Sequence, residues 1–341
     1  MNKDLRKLSL QISEDEYRKD EAYSYSTLAR FAREGFDGLP HLYDKIESPS
    51  LTFGSCVDSL ITGNEGEFDS KFLVAEMQNE PSDAEKQIAE KLYSRYGDKY
   101  KCFKDIPEDC ILSCLEDMQW NSHWLPKTRV KKLQEDCPGY YALLSEAGGR
   151  KIISTKLYNK AMDCVDALKS SIATRFYFEE DNAFDTNIQR FYQLKFKAKM
   201  EGLDFKCMPD ELIVVHDKKI IVPVDLKTSS KAEWEFHKSF LQWKYYLQAS
   251  LYTRILKENL CKDEYFKDFQ IASYKFIVVN KASMKPLVWV YADRVNNANI
   301  KLEDPIALAL ELDRYLKEKP SVPFNISLSK PNSIDDILNQ L

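Results

Sequence analysis

Two aspartates and a lysine lie at neighbouring positions of two predicted strands. Residues 220–230, IIVPVDLKTSS, begin with a run of Ile, Val and Pro, which is typical of a buried strand. Asp225 and Lys227 follow two positions apart, so both side chains leave the same face of that strand. Asp210 lies in the preceding strand, LDFKCMPDELIVV. The pattern places charged groups that could do acid–base or metal chemistry beside a core.

The turn between the two strands decides whether the aspartates meet. If HDKK (216–219) is a symmetric turn that leaves two or four residues unpaired, Asp225 lies directly opposite Asp210. If Glu201-Gly202 is a two-residue turn, Asp210 also faces Gln193. A three-residue turn would shift the register by one position and separate the two aspartates.

Two carboxylates directly opposite each other on a ladder repel, so such a pair predicts a cation between them. Opposed Cβ atoms are about 4.5–5.5 Å apart, and Mg²⁺ and Mn²⁺ prefer oxygen ligands. A neighbouring lysine can orient or deprotonate an attacking water, or neutralise charge that develops on a phosphorane. The alternative is a solvated ion pair between Asp210 and Lys227, with Asp225 as a polar strand end.

Alternation along the three predicted strands of this meander gives a polar face and an apolar face. The polar face carries Gln193, Lys195, Lys197, Lys206, Asp210, Asp225 and Lys227. The apolar face is expected to form the core and carries Leu194, Phe196, Ala198, Phe205, Cys207, Ile213, Val222, Val224 and Leu226.

Composition is that of a globular protein with no general preference for nucleic acid. The chain has 341 residues, 44% hydrophobic and 30% charged, and a formal net charge of -5. Any surface that binds an anionic polymer must therefore be local. The eight cysteines predict free thiols, and we find neither a membrane span nor a signal peptide. These features predict a cytoplasmic protein.

The elements around the meander predict an α/β (or α+β) fold with a mixed sheet flanked by helices. Helices are expected over 24–36 and 49–63, and charged helical segments over about 76–182, the first with a capping box from Ser82 to Glu85. After the meander we expect one long helix from AEWEF to KENL, two further strands and a helix over about 303–318.

Pro209-Asp210 followed by Asp225-Leu226-Lys227 resembles the signature of the PD-(D/E)XK nuclease superfamily. Downstream, YYLQASLY is similar to the Q-x-x-x-Y motif of the RecB-like branch, with Gln248 and Tyr252 one helical turn apart. Upstream, SYSTLARF and LTFGSCVDSLITG resemble helices of RecE-type exonucleases, although Asp58 stands where those proteins have a histidine.

The resemblance implies a restriction-endonuclease-like sheet with a helical insertion. It divides the chain into N-terminal core helices (1–75), the insertion (76–184), the nuclease core (185–320) and a tail (321–341). It also implies roles for site residues. Asp210 and Asp225 would hold Mg²⁺ or Mn²⁺, with Asp58 as third ligand and the Leu226 carbonyl as fourth, and Lys227 and Gln248 would be catalytic. Tyr252, Lys195, Lys197 and Lys206 would contact DNA.

Each of these roles has a structural alternative. Gln248 and Tyr252 fit helix packing, Asp58 fits an exposed helical position, and the three lysines fit a solvated rim. No cysteine triad follows the motif, so we expect no iron–sulfur cluster.

The function that the resemblance implies is a metal-dependent DNA exonuclease of phage-type recombination. The substrate would be duplex DNA with an end, in the bacterial host cytoplasm if the chain is phage-encoded. A homo-oligomer and a single-strand annealing protein are the expected partners. The alternatives are an endonuclease of the same superfamily in restriction or repair, and a catalytically silent DNA-binding protein.

Overall fold

A computed structural model describes residues 3–44, 46, 48–63, 66–77, 79–181, 186–291 and 302–318. The chain forms two compact units, one from residues 1–46 and 168–341 and the other from residues 47–167. The second unit begins and ends earlier in the chain than the predicted insertion at 76–184. The predicted tail lies outside the described residues.

The regular elements follow one another along the chain in a mainly helical first half and a second half that contains most of the strands. They are α1 (Glu14–Lys19), α2 (Tyr25–Glu34), α3 (Pro49–Ile61), α4 (Glu67–Lys71), β1 (Phe72–Ala75), α5 (Asp83–Tyr96), α6 (Glu108–Asp117), α7 (Pro126–Asp136), α8 (Pro138–Ala147), β2 (Lys151–Ser154), α9 (Thr155–Ser170), β3 (Ile188–Tyr192), β4 (Phe196–Met200), β5 (Leu203–Cys207), β6 (Glu211–Val215), β7 (Ile220–Ser229), α10 (Phe236–Gln242), α11 (Tyr245–Leu260), β8 (Gln270–Ile271), β9 (Tyr274–Asn280), β10 (Pro286–Tyr291) and α12 (Pro305–Glu318).

The unit of residues 47–167 is mainly helical. Helices α5 to α8 enclose a core of its own, and β1 and β2 pair in parallel. The predicted capping box is present, since Ser82 and Glu85 each accept from the other's backbone N–H at the start of α5. Among the described residues no helix is both long and apolar enough to cross a membrane.

The other unit contains a mixed sheet in the order β10-β9-β7-β6-β3, with β8 added beside β7. Strand β7 pairs antiparallel with β6 on one side and parallel with β9 on the other. Helices α2, α11 and α12 contribute to the core beside this sheet. The predicted α/β class, a mixed sheet flanked by helices, is confirmed.

The predicted register of the meander is confirmed. The last pair of the β6–β7 ladder is Glu211 with Val224, so Asp210 and Asp225 are opposed one step beyond it. The Gln193 N–H donates to the Asp210 carbonyl at 3.0 Å, as the predicted pairing of those two residues requires.

The predicted continuous strands are each interrupted at one point. Gln193 has a φ of 50°, and Pro209 on the facing strand has no N–H to offer a ladder. As a result β4 and β5 form a separate two-stranded hairpin, while β3 and β6 stay in the main sheet. Asp210 lies at this break, directly before β6.

The prediction of one polar and one core face is wrong for the main sheet, because both faces are buried. Leu212, Val214 and Ile221 share the face of Asp210 and Asp225 by alternation, and none of the three is exposed. Ile213 and Val224, on the opposite face, are also buried. Asp225 is therefore enclosed by a hydrophobic core, whereas Asp210 is only partly buried.

The predicted long helix after β7 is also divided. It is split into α10 and α11 at Trp243 and Lys244, and Lys244 has a φ of 58°. A left-handed lysine is uncommon and gives no sequence signal comparable to Gly or Pro. The break redirects the chain so that α11 lies along the hairpin and the core.

Candidate active site

Asp225 and Asp210 meet where the β6–β7 ladder ends. Asp225 lies in β7, opposite Phe276 of β9, and is only 1% exposed. Asp210 Oδ2 accepts from the Leu226 N–H at 2.7 Å, so its carboxylate reaches the strand that carries Asp225. The structure thus brings together the two aspartates that the sequence predicts to be opposed.

Lys227 completes the charged group. Its Nζ forms an ion pair with Asp225 Oδ2 and lies 4.9 Å from the centroid of the Tyr245 ring. Burial alone would lower the pKa of Lys227, but Asp225 above all, and also Tyr245, Asp210 and Tyr25, raise it above its ordinary value. The lysine is therefore protonated, and its side chain remains 19% exposed.

Gln248 reaches the same aspartate from helix α11. Its Nε2 donates to Asp225 Oδ1, and the residue is buried. Tyr252, one turn further, is packed in the core with its ring centroid 6.3 Å from that of Tyr274. Gln248 is thus at the predicted site, whereas the predicted contact of Tyr252 with DNA stays a prediction for a side chain that the structure buries.

Two tyrosines that we did not predict also line the site. Tyr245 is one turn before Gln248 on α11, and Tyr25 begins α2, with ring centroids 6.3 Å apart. Burial raises the pKa of each hydroxyl, although Lys227 opposes this, so both tyrosines are neutral. The spacing of Tyr245 from Gln248 is the signal that could have identified it, since positions three apart share a helix face.

The two predicted DNA-binding lysines of the hairpin have partners in the N-terminal segment. Lys206 Nζ donates to the carbonyl oxygens of Tyr17 at 2.8 Å and Asp20 at 2.6 Å. Lys197 Nζ donates to the Asp20 carboxylate at 3.0 Å. Lys195 contacts the same segment through its main chain, accepting from the Leu10 N–H at 2.8 Å. Contacts of these lysines with DNA stay a prediction.

Asp58 lies in α3 of the unit formed by residues 47–167. Its Oδ1 accepts from the Thr62 hydroxyl at 2.9 Å, one helical turn away. Its role as a third metal ligand stays a prediction.

The oxygen atoms beside Asp225 are suited to a hard cation. Apart from the ion pair with Lys227, Asp225 Oδ2 has no hydrogen-bond partner among the described residues, and neither has Gln248 Oε1. Unpaired buried oxygens are uncommon, and carboxylate and amide oxygens are the ligands that Mg²⁺ and Mn²⁺ prefer. Within the described part of the chain no three His, Cys, Asp or Glu residues form a metal-binding group. Such a cation would therefore need backbone oxygens or water as well.

No protein-family model matches this chain, and no curated protein matches it. Among solved structures, the chain is similar to a protein described as a "Putative exonuclease" from Eubacterium rectale, at 13% sequence identity. The similarity covers 97% of this chain and 100% of that chain, with a TM-score of 0.46. This likeness is distant, so the function proposed below depends on the residues of this chain alone.

Proposed function

We propose that this chain is a Mg²⁺- or Mn²⁺-dependent deoxyribonuclease that hydrolyses phosphodiester bonds from DNA ends. The observation that supports it best is the contact group of Asp210, Asp225, Lys227 and Gln248. These are the residues in which the sequence resembles the PD-(D/E)XK superfamily, and they come from three separate elements. A buried aspartate with a protonated lysine at the edge of a core is costly to retain without a use.

The metal would be held by Asp210 and Asp225, with the Leu226 carbonyl and water completing the set. When bound, a divalent cation of this kind polarises a phosphoryl oxygen and lowers the pKa of a bound water.

Lys227 acts as a cation and hydrogen-bond donor. Asp225 above all raises its pKa, so the lysine carries a positive charge beside the carboxylate. A protonated lysine can donate a hydrogen bond to the oxygen of the attacking water and so orient it. It can also neutralise charge on the phosphoryl oxygens as the transition state develops. Gln248 holds the Asp225 carboxylate in place through Oδ1.

Cleavage from ends is favoured by the likeness of the segments around Tyr25 and Asp58 to RecE-type exonucleases. The same likeness supports a role in phage-type recombination, with a homo-oligomer and a single-strand annealing protein as partners. An endonuclease with the same catalytic group is the alternative, and so is a protein that binds DNA without cleaving it.

The test is incubation of the full chain with linear and covalently closed duplex DNA in Mg²⁺, in Mn²⁺ and in EDTA. We expect the linear duplex to be degraded with either metal and the closed circle to survive. Asp225→Asn should remove the activity. Glu211→Gln, a matched change at another buried acid on the opposite face of the sheet, should keep it.

Nicking of the closed circle would favour the endonuclease alternative. Binding without cleavage of either DNA, in every metal tested, would show that the hydrolytic proposal is wrong.

A further inference from the structure

The break between α10 and α11 presents an exposed tryptophan whose backbone contacts Tyr25 of the candidate active site. Trp243 is 43% exposed, although its backbone is held on both sides. Its N–H donates to the Ser239 carbonyl at 2.9 Å, and its carbonyl accepts from the Tyr25 hydroxyl at 2.7 Å. An indole on a fixed backbone keeps little conformational freedom to lose on binding a flat ligand.

Trp243 is linked to Lys227 through two side chains. The Tyr25 hydroxyl that binds the Trp243 carbonyl belongs to a ring whose centroid is 6.3 Å from that of Tyr245. The Tyr245 ring in turn lies 4.9 Å from Lys227 Nζ. Trp243 is therefore connected to Lys227 through its backbone carbonyl and the side chains of Tyr25 and Tyr245.

A positive charge accompanies the indole. The Arg33 guanidinium lies 5.1 Å from the centroid of the Trp243 ring. Its charge also acts on Tyr25 and Tyr245, where it opposes the effect of burial on their pKa values. An exposed aromatic ring with an arginine against it is the combination that proteins use to bind single-stranded nucleic acid.

Two other large apolar side chains on the same segment are exposed. Trp234 and Leu241 lie, like Trp243, between the strand of Lys227 and the helix of Gln248. The chain thus exposes three large apolar side chains along the connection between the strand of Lys227 and the helix of Gln248.

We propose that Trp243 stacks on an unpaired nucleobase of the DNA strand entering the site, while Arg33 contacts the adjoining phosphate. This inference rests on the proposed nuclease function and adds a substrate contact to it. The ligand is a single-stranded DNA end, bound by base stacking and by charge. Stacking is tolerant of base identity because every base offers a flat face, so the contact suits an enzyme that proceeds along any sequence.

Binding of a fluorescent single-stranded oligonucleotide to the full chain in EDTA tests the proposal, with fluorescence anisotropy as the readout. Trp243→Ala should weaken binding by about 5- to 150-fold in Kd, and Trp243→Phe should retain most of the affinity. With an abasic oligonucleotide of the same length, wild type and Trp243→Ala should bind equally, because the phosphates remain and the bases do not.

Phe176→Ala is the matched control. Phe176 is 42% exposed and has the Arg190 guanidinium 5.3 Å from its ring, but it belongs to the opposite face of the sheet. This variant should bind both oligonucleotides as wild type does. Arg33→Met should weaken binding of both and reduce the slope of log K against log salt by about 0.7, as loss of one phosphate contact to a single strand requires.

Equal binding of the normal oligonucleotide by wild type and Trp243→Ala would overturn the inference, and so would equal losses on normal and abasic strands. The Trp243→Ala substitution could instead change the oligomeric state and leave the DNA affinity unchanged. That outcome would assign the surface around Trp243 to a second copy of the chain, and it would overturn the inference as well. If wild type degrades linear DNA in Mn²⁺ and any of these three outcomes is observed, the inference about Trp243 fails and the proposed nuclease function stands. If wild type neither cleaves nor binds DNA, the proposed function fails and this inference fails with it.

Discussion

Asp225 and Glu211 are both buried acids of the central sheet, and each is only 1% exposed. They lie on the neighbouring strands β7 and β6, on opposite faces, because Glu211 pairs with Val224 and not with Asp225. Their surroundings are very different. Asp225 has Lys227 in contact with one oxygen and Gln248 on the other.

Glu211 lacks comparable partners among the described residues. Neither of its carboxylate oxygens has a hydrogen-bond partner in that part of the chain, and the nearest cation there is Arg190 Nε, 3.8 Å from Oε1. Arg190 is shared with Asp181 at 2.9 Å and with the Phe176 carbonyl at 2.5 Å. Burial raises the pKa of Glu211 well above its ordinary value, and Arg190 only partly opposes this.

The comparison shows how a buried acid without polar partners differs from a buried acid that has a lysine and an amide in contact. A buried acid without donors is neutralised by taking up a proton, whereas Asp225 has a lysine and an amide in contact that fix the orientation of its carboxylate. Only the second arrangement can hold a cation. Substitutions at the two acids and their partners should therefore have very different effects.

The largest difference should be in catalysis. Lys227→Met keeps most of the length of the side chain but removes the charge, and we expect the rate of DNA hydrolysis to fall by about 10²–10³-fold. Glu211→Gln should retain the wild-type rate, because that side chain faces away from the site. Rates on linear duplex in Mn²⁺ measure both, and similar losses in the two variants would remove the distinction between the acids.

Stability should show the next largest effect. Lys227→Met leaves Asp225 buried without its cation, and removal of one partner from a buried ion pair costs about 3–5 kcal/mol of unfolding free energy. The double variant Lys227→Met with Asp225→Asn should recover most of this loss. Urea unfolding at neutral pH measures both variants, and a double variant no more stable than Lys227→Met would mean that the charge of Asp225 is not the cause.

Metal-linked stability should distinguish Asp210 from Glu211. A ligand at 100 times its Kd stabilises the folded state by about 2.7 kcal/mol, so Mn²⁺ should raise the melting temperature of the wild type. Asp210→Asn should need more Mn²⁺ for the same rise, and Glu211→Gln should respond as wild type does. Melting curves in EDTA and over a Mn²⁺ series provide the measurement; an unchanged response of Asp210→Asn would exclude this aspartate as a ligand.

The smallest effect should be a pH dependence at Glu211, because Arg190 offsets part of the cost of its charge. The folded-state pKa is above the unfolded value of about 4.3, so the folded protein keeps this proton to higher pH. Stability from this group is present at low pH and is lost as pH rises through the folded pKa. The free energy of unfolding of Glu211→Gln, measured with urea, should thus exceed that of wild type by an amount that grows between pH 5 and pH 8. If the difference between the two unfolding free energies stayed constant, Glu211 would be ionised throughout this range.

The sequence was sufficient to predict that Asp210 and Asp225 are opposed. The symmetric four-residue turn at 216–219 determines the register, because a shift by one residue would separate the two aspartates. The α/β class followed from the helical segments that precede and follow the alternating strands of the meander. The place of Gln248 in the site was predicted from the resemblance to the Q-x-x-x-Y motif and not from any physical feature of the helix.

The breaks in the elements could not be predicted. Gln193 and Lys244 adopt positive φ, and neither residue type indicates this in a sequence, because the packing of the surrounding segments imposes it. Without the break at Lys244, the exposure of Trp243 and the placement of Tyr245 could not be foreseen. The burial of both sheet faces was missed because Leu212, Val214 and Ile221 were not considered with the polar residues they accompany.

The hydrogen bond from the Leu226 N–H to Asp210 Oδ2 has a consequence for how the site should be dissected. At this position β6 has not yet begun, and the aspartate side chain supplies the acceptor that the strand does not provide, much as a capping residue does at the end of a helix. Asp210 is therefore a structural terminator of the ladder as well as a candidate ligand. An alanine at 210 would leave the Leu226 amide without its acceptor, next to Lys227, and would mix a folding defect with a chemical one. Asparagine, which can still accept that bond, separates the two, and the exchange rate of the Leu226 amide proton reports directly on whether it does.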